Sequence, residues 1–156
     1  MSGDAGREAG GDEGVEVRVH SGEAELRAAL ALRRLVFVDE QGIEAAEEFD
    51  SLDDEAVHLV ALSGGVVIGT FRLLEAGGGR LRLGRMVVAA GQRRRGVAAA
   101  MLRAAETHAR AHGAETITLN AQTYACPLYR AAGYRVVGDT FMEAGLEHVK
   151  MELYLA

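Results

Sequence analysis

The segment at residues 93–98, Arg-Arg-Arg-Gly-Val-Ala, has the residue types that bind a phosphate at the start of a helix. The strand-like run RMVV comes before it, and the alanine-rich stretch AAAML favours a helix after it. The first N–H groups of a helix have no acceptor within the helix, and the helix dipole is positive there, so anions bind at that end. Gly96 and Ala98 are small enough to let a phosphate approach the backbone. We therefore predict a pyrophosphate site, although on charge alone a solvated helix start explains the arginines equally well.

Two other groups of residues have chemistry to consider. His108 and His112 are four residues apart on a predicted helix, as in half of a metal site, but the sequence places no third ligand beside them. We interpret both histidines as structural and predict no metal. The acidic stretch at 44–55 is either a solvated loop or a surface that attracts a cationic amine into a cleft.

Composition limits the function classes that are open to the chain. With 156 residues, 49% of them hydrophobic, it is long enough for one domain with a real core. The formal net charge of −6 argues against general binding of nucleic acid and against attraction to anionic membranes. Cys126 is the only cysteine, no apolar run is long enough to span a membrane, and no signal peptide is recognisable. We therefore expect a cytoplasmic protein.

The elements that would position these residues follow from hydrophobic periodicity and glycine turns. Residues 1–14 are glycine-rich and acidic and are predicted to be a disordered tail, which leaves 15–156 as a single domain. Ser21 is the expected N-cap of a first helix that ends near Val36 or Glu40. The predicted order is β-α-β-β-β-α-β-α-β-β, with strands at about 15–19, 56–62, 66–74, 80–89, 115–121, 134–141 and 148–155. The helix at about 95–112 joins two strands as a crossover, so these two are expected to be parallel in a mixed sheet.

This order, with an arginine–glycine turn before the crossover helix, resembles the GNAT N-acyltransferase superfamily. The coenzyme A motif of that superfamily, Arg/Gln-x-x-Gly-x-Gly/Ala, is matched at every fixed position by residues 93–98. A second family feature, Tyr-x-x-x-Gly-aromatic, is matched by Tyr129, Gly133 and Tyr134. Segments at 36–42, 48–58, 119–129 and 143–151 are similar to the small bacterial ElaA-like subgroup.

The resemblance implies an α/β (α+β) fold with a mixed, mostly antiparallel sheet of six to seven strands and three to four flanking helices. It also implies acetyl-coenzyme A as cosubstrate, with its pantetheine arm in a V-shaped opening between the strands at 80–89 and 115–121. The expected cofactor contacts are Met86, Val87, Val88, Arg93, Arg94, Arg95, Gly96, Val97, Ala98, Asn120 and Tyr129.

The implied reaction is direct transfer of an acetyl group to a primary amine of a small molecule or peptide. Tyr129 occupies the general-acid position of the family and would protonate the departing thiolate. The candidate bases put forward are His148 and Glu40, while Glu48, Asp50, Asp53 and His58 stay open as alternatives. Glu48, Asp50 and Asp53 are also the expected substrate contacts.

Two other functions compete with this interpretation. Arg34, Phe37, Glu48, Asp50, Asp53 and Arg72 resemble the constellation of acyl-homoserine-lactone synthases, which share the fold. This chain is short for that family, and Ile43 follows Gly42 where the family has tryptophan. A non-catalytic module that senses coenzyme A is the second alternative, although Tyr129 and Asn120 are retained. Because exposed final strands often pair in this fold, a homodimer is also expected.

Overall fold

The computed structural model describes residues 14–155, so the tail predicted for residues 1–14 lies outside the described chain except for Gly14. Within this range the chain forms four α-helices and eight strands. The strands are β1 (Val15–Val19), β2 (Val57–Ser63), β3 (Val66–Gly77), β4 (Arg80–Val88), β5 (Thr116–Gln122), β6 (Arg135–Val136), β7 (Phe141–Glu143) and β8 (Leu146–Tyr154). The helices are α1 (Glu23–Arg33), α2 (Ala45–Glu48), α3 (Val97–Ala111) and α4 (Cys126–Ala131).

All eight strands belong to one mixed sheet with the order β1-β2-β3-β4-β5-β8-β6, in which β7 pairs with β8 over residues 14–155. The β4–β5 pair is parallel and the other pairs are antiparallel. Helix α3 makes the crossover between these two strands, since a parallel pair cannot be joined by a tight hairpin. The predicted mixed, mostly antiparallel sheet with its flanking helices is therefore confirmed.

The sheet has one strand more than predicted because the single strand expected at 134–141 is divided into β6 and β7. Val137 still bonds the Lys150 carbonyl at 2.8 Å, but Gly138 then takes φ +90 and the chain leaves the ladder. Pairing resumes where Phe141 faces His148. Gly138 and the polar residues after it interrupt a strand that the apolar pattern alone predicts to be continuous.

The first helix begins differently from the prediction. Its N-cap is Gly22 rather than Ser21, and the Ser21 N–H donates to the Glu25 carboxylate at 2.8 Å. The side-chain cap expected from the serine hydroxyl is thus absent from this helix, and Glu25 instead holds the residue that precedes the N-cap. At the other end the helix widens into a π-helical turn at Arg34–Glu40, so the chain stays helical to Glu40 as predicted. Such π turns often occur beside functional sites.

The core lies on both faces of the sheet. Met101 and Ala105 of α3 are fully buried against Ile117 and Met151 on one face. A Cβ added to Gly69 would stand 3.0 Å from the Met101 sulfur, so α3 lies very close to β3. On the other face, α1 and the π turn pack Ala29, Leu32 and Val36 against β2 and the end of β4. No helix in the described chain is long and apolar enough to cross a membrane.

Candidate active site

The sheet opens between β4 and β5. Their parallel pairing begins at Arg80–Thr116 and, in the described chain, stops at Arg82–Thr118. Both strands continue beyond this point, β4 to Val88 and β5 to Gln122. The two strand ends therefore diverge and leave backbone donors and acceptors facing the gap. The V-shaped opening predicted from the sequence is present in the structure.

A bulge in β4 shapes one wall of this opening. Arg72 of β3 pairs with Gly84, whereas Thr70 pairs with Val87, so β4 has one extra residue between these points. Arg85 lies in the bulge with φ +55, a left-handed conformation that is uncommon for a residue with a side chain. Bulges bend a strand and increase its twist. This one turns Met86, Val87 and Val88 away from β5.

The start of α3, where the sequence predicts an anion site, lies at one end of the opening. Gly96 is the N-cap with φ +83, and Arg94 two residues earlier has φ +64. Among the described residues no side chain caps this helix, so the amides of its first turn are free for a ligand. Successive N–H groups in turns of this kind can point toward one anion, as in backbone anion nests.

Arg93 connects this end to the rest of the site. Its Nη2 lies 3.1 Å from Glu40 Oε1, and its Nε donates to the Val88 carbonyl at 3.0 Å. Glu40 and Val88 are two groups that the sequence assigned to base and cofactor contact. Both are occupied by one arginine side chain in this structure.

A cavity of about 880 Å³ runs from the start of α3 through the opening to the loop before β2. It brings together most of the residues predicted for the site. Those lining it are Glu40, Glu48, Asp50, Met86, Val87, Val88, Arg93, Arg94, Gly96, Val97, Ala98, Asn120, Tyr129 and His148. Arg95 and Asp53 are the predicted residues outside this lining among the described ones.

Tyr129 enters the cavity from α4. The residue is 9% exposed, and its hydroxyl lies 4.0 Å from the sulfur of Met86. Its ring meets that of Tyr134 edge-on, with centroids 5.9 Å apart. Burial raises the pKa of Tyr129 to about 12, with smaller contributions from Tyr124 and Cys126. The phenol is therefore protonated at neutral pH and available as a donor in the cavity.

His148 is the third residue of β8 and is buried. Its Nδ1 lies 2.8 Å from the Leu146 carbonyl, and its ring stacks on Phe141 with centroids 5.9 Å apart. Since a carbonyl only accepts, Nδ1 must carry the proton, which leaves Nε2 as the acceptor of the neutral ring. The contact thus fixes the tautomer that a base requires.

Three carboxylates of the acidic stretch at 44–55, those of Glu48, Asp50 and Asp53, are held by arginines and are not free to attract a ligand. Glu48 is 3% exposed, and its carboxylate lies 2.8 Å from Arg33 Nε and 3.2 Å from Arg85 Nε. Asp53 pairs with Arg33 and with Arg72, each at 2.8 Å. The predicted solvated loop is therefore wrong for these residues.

Asp50 completes this ionic network, which comprises Arg33, Glu48, Asp50, Asp53, Arg72 and Arg85. Asp50 lies 2.8 Å from Arg72 Nη1 and 3.1 Å from Arg85 Nη2. Burial raises the pKa of Glu48 in spite of its two arginines, whereas the hydrogen bond from Arg72 lowers the pKa of Asp50. Three guanidinium groups thus face three carboxylates at the end of the cavity beside the 44–55 segment.

Arg85 also ties the loop to the bulge through the backbone. Its Nε donates to the Glu48 carbonyl and its Nη2 to the Glu47 carbonyl, each at 3.1 Å. Burial lowers the pKa of this guanidinium. Sequence reasoning assigned no role to Arg85 and Arg33, because their partners are distant in the chain.

Two residues named in the sequence analysis have structural contacts instead. Arg34, one of the residues that resembled the lactone synthases, lies over the ring of Phe49 at 5.3 Å, and Arg33 takes its place beside the carboxylates. His58 Nε2 bonds the Asp53 carbonyl at 3.0 Å and does not line the cavity among the described residues.

His108 and His112 stack on each other with centroids 4.0 Å apart. Over residues 14–155, no three His, Cys, Asp or Glu side chains are grouped as metal ligands.

Comparisons with known proteins agree with this geometry. A family model described as acetyltransferase (GNAT) domain matches residues 26–155. YjcF of Bacillus subtilis, an uncharacterized N-acetyltransferase, is 38% identical over 131 residues, which cover 83% of this chain and 92% of the relative. A solved structure from Lactobacillus plantarum, described as an N-acetyltransferase, is 32% identical with a TM-score of 0.85 and covers 92% of this chain and 100% of its own. Escherichia coli ElaA shares the fold, with 22% identity, a TM-score of 0.79 and coverage of 89% and 99%.

Proposed function

Because the chain belongs to the GNAT acetyltransferase family of acyl-coenzyme A-dependent N-acyltransferases, we propose that it moves an acetyl group from acetyl-coenzyme A directly to a primary amine of a small molecule. One observation carries the proposal. A single cavity joins the uncapped start of α3 to the Tyr129 phenol and the His148 imidazole. The anion site, a proton donor and a base are thus reachable by one extended thioester.

The cofactor contacts in this proposal are mostly backbone contacts. The amides from Arg93 to Ala98 bind the pyrophosphate, since the helix start supplies both unpaired donors and the positive end of the dipole. The pantetheine arm pairs with the exposed edge at Met86 to Val88. Asn120, exposed at the opposite strand end, donates to the pantetheine or acetyl group. No metal takes part.

Arg93 changes partner when the cofactor binds. In this structure its side chain contacts Glu40 and the Val88 carbonyl. A pyrophosphate beside it offers more negative charge than one exposed carboxylate, so the guanidinium turns to the phosphates. The Val88 carbonyl then becomes available to pantetheine, and Glu40 becomes available to the acceptor amine.

The acceptor amine must lose its proton before it attacks. An alkylammonium has a pKa near 10.4, about three units above pH 7, so removing its proton at pH 7 costs roughly 4–5 kcal/mol. His148 is the favoured base because its Nε2 is unprotonated in the tautomer that Leu146 selects. Glu40, once released by Arg93, is the alternative.

Attack on the thioester carbonyl places negative charge on oxygen and then on sulfur. A backbone N–H near Val88 stabilises the oxygen in an environment shielded from water. The Tyr129 phenol faces the sulfur. Because its pKa is raised to about 12, passing its proton completely to a thiolate of pKa near 8.5 is uphill by about 5 kcal/mol. We therefore assign it as a general acid that stabilises the developing thiolate chiefly through a hydrogen bond.

Thiol release from acetyl-coenzyme A, screened against amines, polyamines, amino acids, aminoglycosides and peptides, tests the proposal. We expect release that depends on one class of amine, with the acetylated product identified by mass spectrometry. Acetyl-coenzyme A should also raise the melting temperature. Binding without release over the whole panel would favour a sensor module, and absence of binding would exclude the proposed cofactor.

A further inference from the structure

The acceptor end is the end of the cavity beside the 44–55 segment. Three neighbouring positions on one face of the sheet form its floor. Arg72 on β3 lies directly opposite Gly84 on β4, and Arg82 lies two residues before Gly84 on the same strand. Residues that are opposite or two apart share a face, with side chains about 5 Å apart when opposite and about 7–8 Å apart on the diagonal. All three residues line the cavity.

Gly84 leaves an open space between the two arginines. Its φ lies outside the left-handed region, so the backbone there does not require glycine. A Cβ built on Gly84 meets no atom of the described chain within 4 Å. The missing side chain of Gly84 therefore leaves open space for a ligand and is not required by the backbone conformation.

Both arginines have donors left for a ligand. Arg72 is 4% exposed, its Nη1 and Nη2 bond Asp50 and Asp53, and its buried Nε has no partner among residues 14–155. Burying a donor without an acceptor is costly, so such a group marks a place where an acceptor atom binds. Arg82 is exposed on the same face, and its guanidinium has neither an ion pair nor a hydrogen bond within the described chain.

Arg82 is the cation of this floor that the internal ion pairs leave unmatched, while Glu47 and Glu143 also line the cavity. The three guanidiniums of the ionic network already face three carboxylates, so Arg82 is an additional cation. A second groove of about 310 Å³ continues from Arg82 and Asn120 past Arg80, Thr118 and Lys150, with no carboxylate in its described lining. Lys150 lies 3.7 Å from Glu152, which partly balances it. This field attracts an anionic group.

From these observations we propose that the acceptor is an amine that carries a carboxylate, and that the carboxylate binds over Gly84 between Arg82 and the Nε N–H of Arg72. A guanidinium matches a carboxylate in shape and charge. The inference rests on the proposed acetyl transfer and names its acceptor class. It replaces the expectation of a purely cationic acceptor, since the carboxylates that suggested one are held by arginines.

The geometry also sets the length of the acceptor. The reacting carbonyl lies beside Met86 to Val88, which is two to four residues along β4 from Gly84. Because of the bulge, Val87 and Val88 lie opposite Thr70 and Gly69, two and three β3 residues from Arg72, so at about 3.3 Å per residue the nitrogen lies roughly 7–10 Å from the carboxylate. An amine at the end of a short chain spans this distance, whereas the α-amine of glycine does not.

Matched acceptors of one chain length test the inference: 6-aminohexanoate, 6-amino-1-hexanol and 1,6-diaminohexane. We expect kcat/KM in the thiol-release assay to be at least about tenfold higher for the carboxylate than for the other two. Arg82→Gln should abolish this preference, and Gly84→Val should raise the KM for 6-aminohexanoate at least tenfold. Arg27→Gln, which breaks an exposed pair with Glu23 on α1, is the matched control and should keep the preference.

Calorimetric binding of 6-aminohexanoate to the protein saturated with coenzyme A separates the two proposals. If the probe binds, Arg82→Gln abolishes binding, and no amine releases thiol, the carboxylate site stands and acetyl transfer is wrong. If thiol is released equally from the carboxylate and the alcohol, or if Arg82→Gln keeps the preference, acetyl transfer stands and the carboxylate site is wrong. Absence of calorimetric binding to the unaltered protein also overturns the site.

Discussion

The two ends of the cavity are built from different parts of the polypeptide. At the cofactor end the contacts offered are backbone amides at the start of α3 and the free edge of β4 after its bulge. At the acceptor end they are side chains, with Arg33, Arg72 and Arg85 holding Glu48, Asp50 and Asp53. A backbone site accepts any ligand with the right phosphate geometry, whereas a side-chain site can differ between relatives that share one fold.

The difference has an energetic side. The amides at the start of α3 need no partner within the protein, because water or a ligand satisfies them. The ionic network is buried, so each charge depends on the others to offset its lost hydration. We therefore expect changes at the acceptor end to affect stability first, and changes at the cofactor end to affect binding first.

Removal of Glu48 should have the largest effect on stability. Glu48→Ala leaves Arg33 and Arg85 without a carboxylate that both contact at 3.2 Å or less. Breaking a buried ion pair on one side costs about 3–5 kcal/mol, which denaturant unfolding would measure as a lower free energy of unfolding. Glu47→Ala, at the exposed neighbouring position, is the control and should change it by about 0.5 kcal/mol or less. Equal losses in the two variants would contradict the network as we describe it.

At the cofactor end, Gly96→Leu should weaken acetyl-coenzyme A binding by at least tenfold. The leucine side chain would cover the amides, and the φ of +83 is strained for any residue with a Cβ. Arg94→Ala should weaken binding by less than about threefold, since a surface arginine adds only a screened charge. Isothermal titration calorimetry measures both.

Gly64→Leu separates strain from contact in this experiment. Gly64 has φ +57 in the turn between β2 and β3, outside the cavity, so the variant has a comparable backbone strain without covering the amides. It should lower the melting temperature and keep the affinity. If Arg94→Ala weakened binding more than Gly96→Leu, the site would depend on side-chain charge rather than on the backbone.

Acid should destabilise the acceptor end through its aspartates, with a smaller effect than the substitutions at Glu48 and Gly96. The hydrogen bond from Arg72 lowers the pKa of Asp50. Burial pushes the pKa of Asp53 up, but the hydrogen bonds from Arg33 and Arg72 leave it lowered. A carboxylate with a lowered pKa stabilises the fold above its unfolded value, near 3.9, and this contribution is lost as the pH falls through the folded value. The raised pKa of Glu48 acts in the opposite sense, favouring the fold at low pH.

We therefore expect the melting temperature to fall below about pH 5, and Asp50→Asn to reduce that fall by roughly 2–4 °C. Asp54→Asn, at an exposed position of the same segment, should leave the fall unchanged. An identical acid limb in the Asp50 variant would show that this carboxylate is not held by Arg72 in solution. Scanning calorimetry from pH 7 to about pH 3 makes the comparison.

The local geometry at the start of α3 could be predicted from the sequence because its signal is contiguous. A glycine at a fixed place before an alanine-rich helix is needed for the turn and the close approach of a phosphate, and Gly96 and Ala98 satisfy that need within one segment. The parallel pairing of β4 and β5 followed from the crossover helix, and their divergence from the family resemblance. The fold class was predicted correctly for the same reason, since its elements have clear periodicity.

The acceptor end could not be predicted because its residues come from α1, the 44–55 segment, β3 and the β4 bulge. An acidic run in a sequence is interpreted as solvated unless the arginines that fold onto it are known, and nothing in the sequence marks Arg33 and Arg85 as its partners. The bulge itself has no sequence marker, since the residue with positive φ is Arg85 rather than glycine. Only the tertiary contacts show that Glu48 is buried.

Tyr129→Phe tests the central claim most directly, because the two ends of the cavity meet at this phenol. The change removes one hydroxyl and keeps the ring that packs edge-on against Tyr134. Tyr134→Phe is the matched control, since its buried hydroxyl has no partner within residues 14–155 and lies outside the cavity lining. We predict that Tyr129→Phe keeps the Kd for acetyl-coenzyme A within about threefold while kcat falls about a hundredfold, and that Tyr134→Phe keeps both. An unchanged kcat in Tyr129→Phe would contradict the account.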